Sequence, residues 1–316
     1  MSDVVIGPDY AAAPETLVRA GVPVGAVHAF TMDSRDSAIY PGIRRLENEI
    51  TKRRDAFGNR IAAAEHVQSE AAPYTRTVWV YVPAQYVPGA PAPFVVVQDG
   101  YHYVNRVRRV LDNLIAAKRV PVMVAVLVDS GGGDAQGSQR GLEYDTLSGR
   151  YSDFIETEVL PRVAAATGVT LTDDPNGRAT MGVSSGAACA FTMAWFHPER
   201  YRRVLSYSGT YVNQQSPVSA VTPRGAWEYH ATLIPAAARK PLRIWLEVGE
   251  KDLHHDDPEE TWHNWPLANQ RMAVVLAAKG YAYRFTLSLG GRHADPRVVE
   301  QTLPGALEWL WEDYPR

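Results

Sequence analysis

The stretch RATMGVSSGAACAFTMAWF, residues 178–196, changes character part-way along its length. Its first seven residues are typical of a short buried strand, and its last twelve have the small, apolar composition of a helix packed on a sheet. Between them, GVSSG at residues 182–186 fits the pattern G-x-S-x-G at a strand-to-helix turn. That turn, a nucleophile elbow, predicts that one of the two serines is a nucleophile.

The glycine spacing selects one of these serines. Only Ser184 has a glycine two positions before it and another two positions after it. Small residues are needed there because a Cβ would collide with the neighbouring strand or helix. Ser185 is then the first helical residue, and its backbone N–H is a candidate oxyanion-hole donor.

The surrounding sequence alternates between strands and helices. PFVVVQDG (93–100) and PVMVAVLVDS (121–130) are typical of buried parallel strands, and residues 104–119 between them have the apolar spacing of a helix with one buried face. Strands separated by helices of this length indicate a mainly parallel sheet with helices on both faces. The other predicted strands are 76–83, 178–184, 201–209, 242–249 and 281–290, and the other helices are 151–168, 185–196, 266–280 and 297–314.

This pattern predicts one α/β domain over residues 75–316, with an N-terminal extension, residues 1–74, packed on it. Residues 210–241, rich in Pro, Ser, Thr and Gly, are a candidate cap or lid insertion. The charged run at 44–68 within the extension is expected to form a solvated face.

The composition excludes several classes of function. The net charge of −3, with both signs mixed along 316 residues, argues against a nucleic acid or an anionic membrane as partner. The single cysteine, Cys189, excludes an internal disulfide and a cysteine-based zinc site. No apolar run is long enough for a membrane span, and the N-terminus lacks signal-peptide features. We therefore expect a cytoplasmic protein, or a periplasmic or secreted one if a signal peptide was removed. The sequence leaves open whether the protein forms a homo-oligomer.

A serine nucleophile needs a histidine base and an acid that orients it. In this type of fold the acid follows the serine along the chain, and the histidine follows the acid. His293 comes after the last predicted strand, in SLGGRHADP, where a loop would place it beside the elbow. The acid is expected after the strand 242–249, where Asp252 is favoured over Glu250 because of its distance from the strand's final glycine.

The loop after residues 93–100 is expected to supply the second oxyanion donor, from the amide of Tyr101 or, alternatively, of Gly100. Four further side chains are candidates to line a substrate pocket. Instead of contacting substrate, Arg140 could form an ion pair with Glu143 or Asp145. The two tryptophans could instead pack on the helix that follows them. The four candidates are Tyr103, Arg140, Trp262 and Trp265.

The insert HHDDPEETWHNW (254–265) contains many potential metal ligands. Its spacing matches neither HExxH nor an EF-hand, and adjacent residues rarely point the same way. We interpret it as a solvated acidic loop and assign no metal.

The segments PFVVVQDG, GLEYDTLSGRYSDFIETEVLP, GRATMGVSSGAACAFTMAW and SYSGTYVN together resemble the "Putative esterase" family of α/β-hydrolases. That family includes enterochelin esterases, feruloyl esterases, esterase D and mycolyltransferases. The resemblance extends over roughly residues 75–313. It implies serine hydrolase chemistry on a small-molecule ester without a cofactor. Mapped by position, it implies Ser184 as nucleophile, Asp252 as acid, His293 as base, and Ser185 and Tyr101 as oxyanion amides.

The sequence thus predicts a serine carboxylic ester hydrolase acting on a small or aromatic ester, of phenolic, hydroxycinnamoyl or siderophore-like type. An acyltransferase with the same three residues is one alternative. A non-catalytic binding protein on a hydrolase scaffold is another, and it requires the three side chains to be misaligned.

Overall fold

The structure is a computed structural model that describes residues 3–47, 52 and 67–315. Within these residues the chain forms a large sheet and a separate sheet of two antiparallel strands. The strands are β1 (Val4–Ile6), β2 (Ala26–Asp33), β3 (Ile43–Arg45), β4 (Ser69–Ala71), β5 (Thr75–Val82), β6 (Phe94–Gln98), β7 (Val124–Val128), β8 (Arg178–Val183), β9 (Arg203–Tyr207), β10 (Arg243–Lys251) and β11 (Ala282–Arg292).

The large sheet has nine strands in the order β1-β11-β10-β9-β8-β6-β7-β5-β2. Pairing is parallel from β1 through β7, and it becomes antiparallel between β7 and β5 and between β5 and β2. All residues of β6, β7, β8 and β9 are buried, which explains their nearly continuous apolar sequences. The strands β3 and β4 pair with each other.

The helices cover both faces of the sheet. They are α1 (Gly100–Ala116), α2 (Gln139–Tyr144), α3 (Arg150–Phe154), α4 (Leu160–Thr167), α5 (Ser185–Phe196), α6 (Ile234–Ala236), α7 (Trp265–Ala278) and α8 (Pro296–Trp311). A π-helical turn over Ile155–Val159 joins α3 to α4, so the predicted helix 151–168 is one irregular helical segment. Gly168, with a φ of 70°, ends it in the left-handed conformation.

Two apolar clusters, one on each face, form the core. The cluster on the first face contains side chains of α1 and α8, and the cluster on the second contains side chains of α3, α5 and α7. The helix α5 is buried along almost its whole length, because small residues on all its sides let it lie against the sheet beneath other elements. This arrangement is the α/β-hydrolase fold that the sequence predicts.

The N-terminal segment contributes to both edges of the sheet. β1 pairs in parallel with β11, and β2 pairs with β5 over eight residues. These pairings satisfy backbone groups that an edge strand would otherwise leave open. The segment therefore extends the central sheet as well as lying against it, while the proposed domain boundary at residues 74/75 stays a prediction. Most of the charged run at 44–68 lies outside the described residues.

The candidate cap, residues 210–241, is anchored in the core by its larger side chains. Tyr211 and Tyr229 are fully buried and pack edge-on against Phe191 of α5. The segment contains a π-helical turn at Tyr229–Leu233 that leads into α6. Any lid function for it stays a prediction.

No helix among the described residues combines the length and the apolar character needed to cross a membrane.

Candidate active site

Ser184 lies at the sharp turn between β8 and α5. Its backbone φ of 59° and ψ of −129° lie in a region that non-glycine residues rarely occupy. The turn requires Gly182, since a Cβ there would lie 2.1 Å from the carbonyl oxygen of Gly186. The strained backbone and close helix approach are those of a nucleophile elbow.

Three side chains form a hydrogen-bonded chain above the carboxyl ends of the parallel strands. His293 Nε2 lies 2.9 Å from Ser184 Oγ, and His293 Nδ1 lies 2.5 Å from Asp252 Oδ1. Ser184 follows β8, Asp252 follows β10 and His293 follows β11. The three residues are thus far apart in sequence and are brought together by strand order.

The loops carrying the acid and the histidine approach each other closely. A Cβ on Gly249 would lie 2.3 Å from the carbonyl oxygen of Gly291, so the glycine allows the two strand ends to touch. The pairing of β10 with β11 is irregular at this point. Beyond the histidine, the Ala294 amide donates to Ser208 Oγ at 3.0 Å and fixes the loop against β9.

The two predicted acids occupy different environments. The side chain of Asp252 is completely buried, and its Oδ1 also accepts the Leu253 amide at 2.7 Å. Glu250 is exposed, and its Oε2 accepts the amide of Gly290 at 2.8 Å. Only Asp252 therefore contacts the histidine.

A second buried carboxyl group lies near the acid. Burial, with a smaller contribution from the charges of Asp252 and Asp295, raises the pKa of Glu247 to about 8, although the hydrogen bond from Ser288 opposes this. Ser288 Oγ donates to Glu247 Oε1 at 2.7 Å. Glu247 therefore binds a proton at neutral pH, so the interior does not contain a second negative charge beside Asp252.

The candidate oxyanion donors lie at the first turns of α5 and α1. Ser185 and Gly100 are the first residues of these helices, so their N–H groups have no acceptor within the helix. The Tyr101 N–H, in contrast, donates to Asp129 Oδ1 at 2.9 Å. The predicted role of Tyr101 therefore conflicts with its bond in this structure, which favours the alternative, Gly100.

Comparison with known families agrees with this geometry. The family model described as "Putative esterase" matches residues 69–304 of the chain, which is three quarters of its length. The chain belongs to this family.

Solved structures with the same fold include several esterases. The enterobactin esterase of Shigella flexneri, in a structure with enterobactin, is 23% identical, with a TM-score of 0.58; the match covers 76% of this chain and 55% of that one. The feruloyl esterase module of Clostridium thermocellum, in complex with sinapinate, is 15% identical over 97% of this chain and 95% of its own, with a TM-score of 0.54.

The ferulic acid esterase of the anaerobic fungus Anaeromyces mucronatus is 13% identical over 96% of this chain and 95% of its own, with a TM-score of 0.58. The chain thus spans little more than half the length of the enterobactin esterases, but nearly the full length of the feruloyl esterases. No curated protein matches the sequence.

Two tryptophans of the insert at residues 254–265 have different surroundings. Trp265 is buried, and its ring meets that of His293 edge-on with centroids 6.0 Å apart. Trp262 is 37% exposed, with the guanidinium of Arg224 at 5.5 Å from its ring centroid. Trp265 therefore packs beside the histidine, and Trp262 is partly exposed to solvent with Arg224 over its ring.

Two of the three histidines of the same insert, His254 and His263, pack against Trp265. The His254 ring stacks on Trp265 at 5.8 Å, and His263 meets it edge-on at 5.0 Å. Burial lowers the pKa of His263 to about 4, and the neighbouring His254 contributes to this. The carboxylates of Asp256, Glu259 and Glu260 are exposed. Among the described residues, no group of three or more His, Cys, Asp or Glu side chains is arranged to hold a metal ion.

The sequence predicts an ion pair of Arg140 with Glu143 or Asp145, and this prediction is wrong. Arg140 Nη2 donates to Asp99 Oδ2 at 2.8 Å and its Nε donates to Oδ1 at 3.1 Å, while Nη1 reaches Asp134. Glu143 is instead paired with Arg76, and Asp145 accepts a hydrogen bond from Gln214. The reason is tertiary: the turn after β6 holds Asp99 at a φ of 53°, close to Arg140 on α2.

Tyr103 lies on α1 and packs, half-buried, against the cluster formed by α1 and α8. Burial raises its pKa to about 12, and the charge of Asp99 adds to this. Its proposed contact with substrate stays a prediction.

Sequence reasoning missed three side chains that hold the elbow. Thr210 Oγ1 lies 3.4 Å from Ser184 Oγ, and its amide donates to the Ser184 carbonyl at 3.2 Å. Gln214 Nε2 donates to Ser185 Oγ at 3.1 Å and to Asp145 Oδ2 at 2.7 Å. Burial raises the pKa of Asp145 to about 6. The segment SYSGTYVN contains Thr210 and GLEYDTLSGRYSDFIETEVLP contains Asp145, but neither segment indicates which side chains face the serine.

Proposed function

We propose that the protein is a serine carboxylic ester hydrolase that works through an acyl-enzyme on Ser184. The observation that carries the proposal is the position of His293 between Ser184 Oγ and the buried carboxylate of Asp252. A non-catalytic binding protein on the same scaffold requires misaligned side chains, and distances of 2.9 and 2.5 Å do not meet that requirement.

In the first step, Ser184 Oγ forms a bond to the ester carbonyl carbon while its proton passes to His293 Nε2. Asp252 accepts a hydrogen bond from His293 Nδ1–H, which fixes the tautomer and stabilises the imidazolium. The Ser185 amide, with that of Gly100 or Tyr101, donates to the oxyanion. His293 then protonates the leaving alkoxide. Water deprotonated by the same imidazole releases the acid and restores Ser184.

We further propose that the substrate is an aromatic ester. The exposed ring of Trp262 and the arginine above it offer stacking and cation–π contacts to a phenolic or hydroxycinnamoyl group. Two of the similar structures are described with sinapinate and with enterobactin, and these names agree with such a substrate class.

A fluorophosphonate probe followed by peptide mass spectrometry tests the nucleophile. We expect one adduct, on Ser184, which is lost in Ser184→Ala and forms much more slowly in His293→Ala. An adduct on Ser185 would move the nucleophile by one residue, and no adduct on folded protein would contradict the mechanism.

Substrate class is tested by comparing kcat/KM for methyl ferulate and methyl butyrate, in the native protein and in Trp262→Leu. We expect the native protein to prefer the aromatic ester and the variant to lose that preference while keeping its activity on butyrate. An equal loss on both esters would assign Trp262 a structural role. Adding ethanol or a longer alcohol to these methyl esters and analysing the products separates hydrolysis from acyl transfer, because a new ester forms only by transfer.

A further inference from the structure

A groove that contains none of the candidate catalytic side chains lies beside the first turns of α1, next to β5 and β2. It has a volume of about 550 Å³. Its walls are formed by Trp79, Tyr101, His102, Asn105 and Arg108, with two valines between them. Among the described residues, the lining includes aromatic and cationic groups but no carboxylate.

Two aromatic rings form one wall of this groove. The centroids of Trp79 and Tyr101 are 6.3 Å apart, with their planes tilted by 49°. The Tyr101 side chain is 70% exposed, an unusual degree for a large aromatic residue that has a neighbouring ring to pack on. The ring of His102 meets Tyr101 edge-on at 5.5 Å. Such a surface can accept a flat ring by stacking.

Arg108 gives the groove a positive charge. Within the described part of the chain it forms no ion pair, and its Nε is buried without a hydrogen-bond partner. Its neighbour Arg106 is paired with Glu300. The carboxylate one helical turn further on, Asp112, uses Oδ1 to accept hydrogen bonds from the Gly25 amide and the Tyr81 hydroxyl. A guanidinium without an ion-pair partner can bind the carboxylate of a ligand.

We propose that this groove is a second binding site, for an aryl carboxylate. The ligand's ring stacks against Trp79 and Tyr101, and its carboxylate pairs with Arg108, assisted by the side-chain amide of Asn105. The proposal does not depend on the esterase mechanism, because the groove and the Ser184 site share no lining side chain.

Binding of benzoate, measured by ligand-observed NMR and isothermal titration calorimetry, tests this proposal. We expect Arg108→Gln to weaken benzoate binding about tenfold, which corresponds to about 1.4 kcal/mol. Arg109→Gln is the matched control, since it makes the same change of charge on the next residue of α1 but lies outside the groove lining. Tyr101→Ala removes half of the aromatic wall and should also weaken binding, with circular dichroism and Tm confirming the fold of each variant.

Three ligands separate the parts of the proposal. Benzyl alcohol keeps the ring without the charge, acetate keeps the charge without the ring, and glucuronate places a carboxylate on a sugar ring. We expect all three to bind more weakly than benzoate. Equal binding of glucuronate would overturn the aromatic part, and equal binding of benzyl alcohol would overturn the role of Arg108.

The location is tested with protein whose serine has been blocked by the fluorophosphonate. Benzoate should bind the blocked protein as tightly as the free one. Loss of binding on blocking, or equal binding by native protein and both groove variants, would place benzoate elsewhere and contradict the proposal.

Discussion

The two sides of the elbow differ in how completely they are assembled. On the side of β10 and β11, Ser184, His293 and Asp252 already form a continuous hydrogen-bonded chain. On the side of β6 and β7, the Tyr101 amide donates to Asp129, and Asp99 is held by Arg140. We call these the triad side and the oxyanion side.

The comparison shows where the proposed chemistry is preorganised. The triad side needs no rearrangement to move a proton. On the oxyanion side, the Asp129 carboxylate accepts a hydrogen bond from the Tyr101 amide, which the sequence analysis assigned to the oxyanion. Burial raises the pKa of Asp129, and the nearby charge of Asp99 contributes to this. Substitutions on the triad side should therefore abolish activity, and those on the oxyanion side should tune it.

The largest effect is expected for Ser184→Ala. Removing a serine nucleophile lowers kcat by about 10⁴- to 10⁶-fold, since only binding and oxyanion stabilisation are left. Ser185→Ala is the matched control. It keeps the backbone amide and loses the side-chain hydrogen bonds with Gln214 and Asp145, so we expect a fall of less than about tenfold. Steady-state kinetics on a p-nitrophenyl ester would measure both, and similar losses in the two variants would contradict the assignment of Ser184.

The next largest effect is expected for Asp252→Asn, with a loss of about 10⁴-fold in kcat, because the amide favours the wrong histidine tautomer. Glu250→Gln makes the same chemical change on an exposed carboxylate that contacts only the Gly290 amide. We expect that control to retain activity within about threefold. A larger loss in Glu250→Gln than in Asp252→Asn would reverse the choice between the two acids.

The same contrast between the two sides appears in what the sequence predicts. Ser184, Asp252 and His293 follow three strands whose apolar pattern is clear, and the chain order of the fold assigns their roles in advance. The partner of Arg140 was predicted wrongly because local spacing favoured Glu143, whereas the turn at Asp99 brings a carboxylate from another strand. Likewise, no local pattern indicates that β1 pairs with β11, because edge pairing depends on the completed sheet.

The stability of the protein is expected to depend on pH through Glu247, which lies near Asp252 on the triad side. The pKa of Glu247, 4.5 in the unfolded chain, is raised by burial to about 8 in the folded protein. The folded state therefore holds this proton more tightly, and the resulting stability is lost as pH rises from about 4.5 through 8.

Glu247→Gln removes this titration, since glutamine stays neutral and its oxygen can still accept from Ser288. We expect the Tm of the variant, relative to the native protein, to rise by at least about 2–4 °C between pH 5 and pH 9. Thermal unfolding across that range measures the difference. A difference that does not change with pH would contradict a bound proton on Glu247.

The smallest effect is expected for Asp129→Asn, and it decides what the oxyanion side does. The asparagine oxygen can still accept the Tyr101 amide, so the start of α1 should keep its position while the negative charge is removed. If Gly100 supplies the second oxyanion donor, kcat should change by less than about threefold, because no donor is gained or lost. A rise of tenfold or more would mean that the carboxylate restrains a donor that the reaction needs, and it would return Tyr101 to the role that the sequence assigned. A pH profile adds a second criterion: if the carboxylate restrains the amide, the activity of the native protein relative to Asp129→Asn should rise on the acid side of the titration of Asp129, since this ratio cancels the pH dependence that the two proteins share.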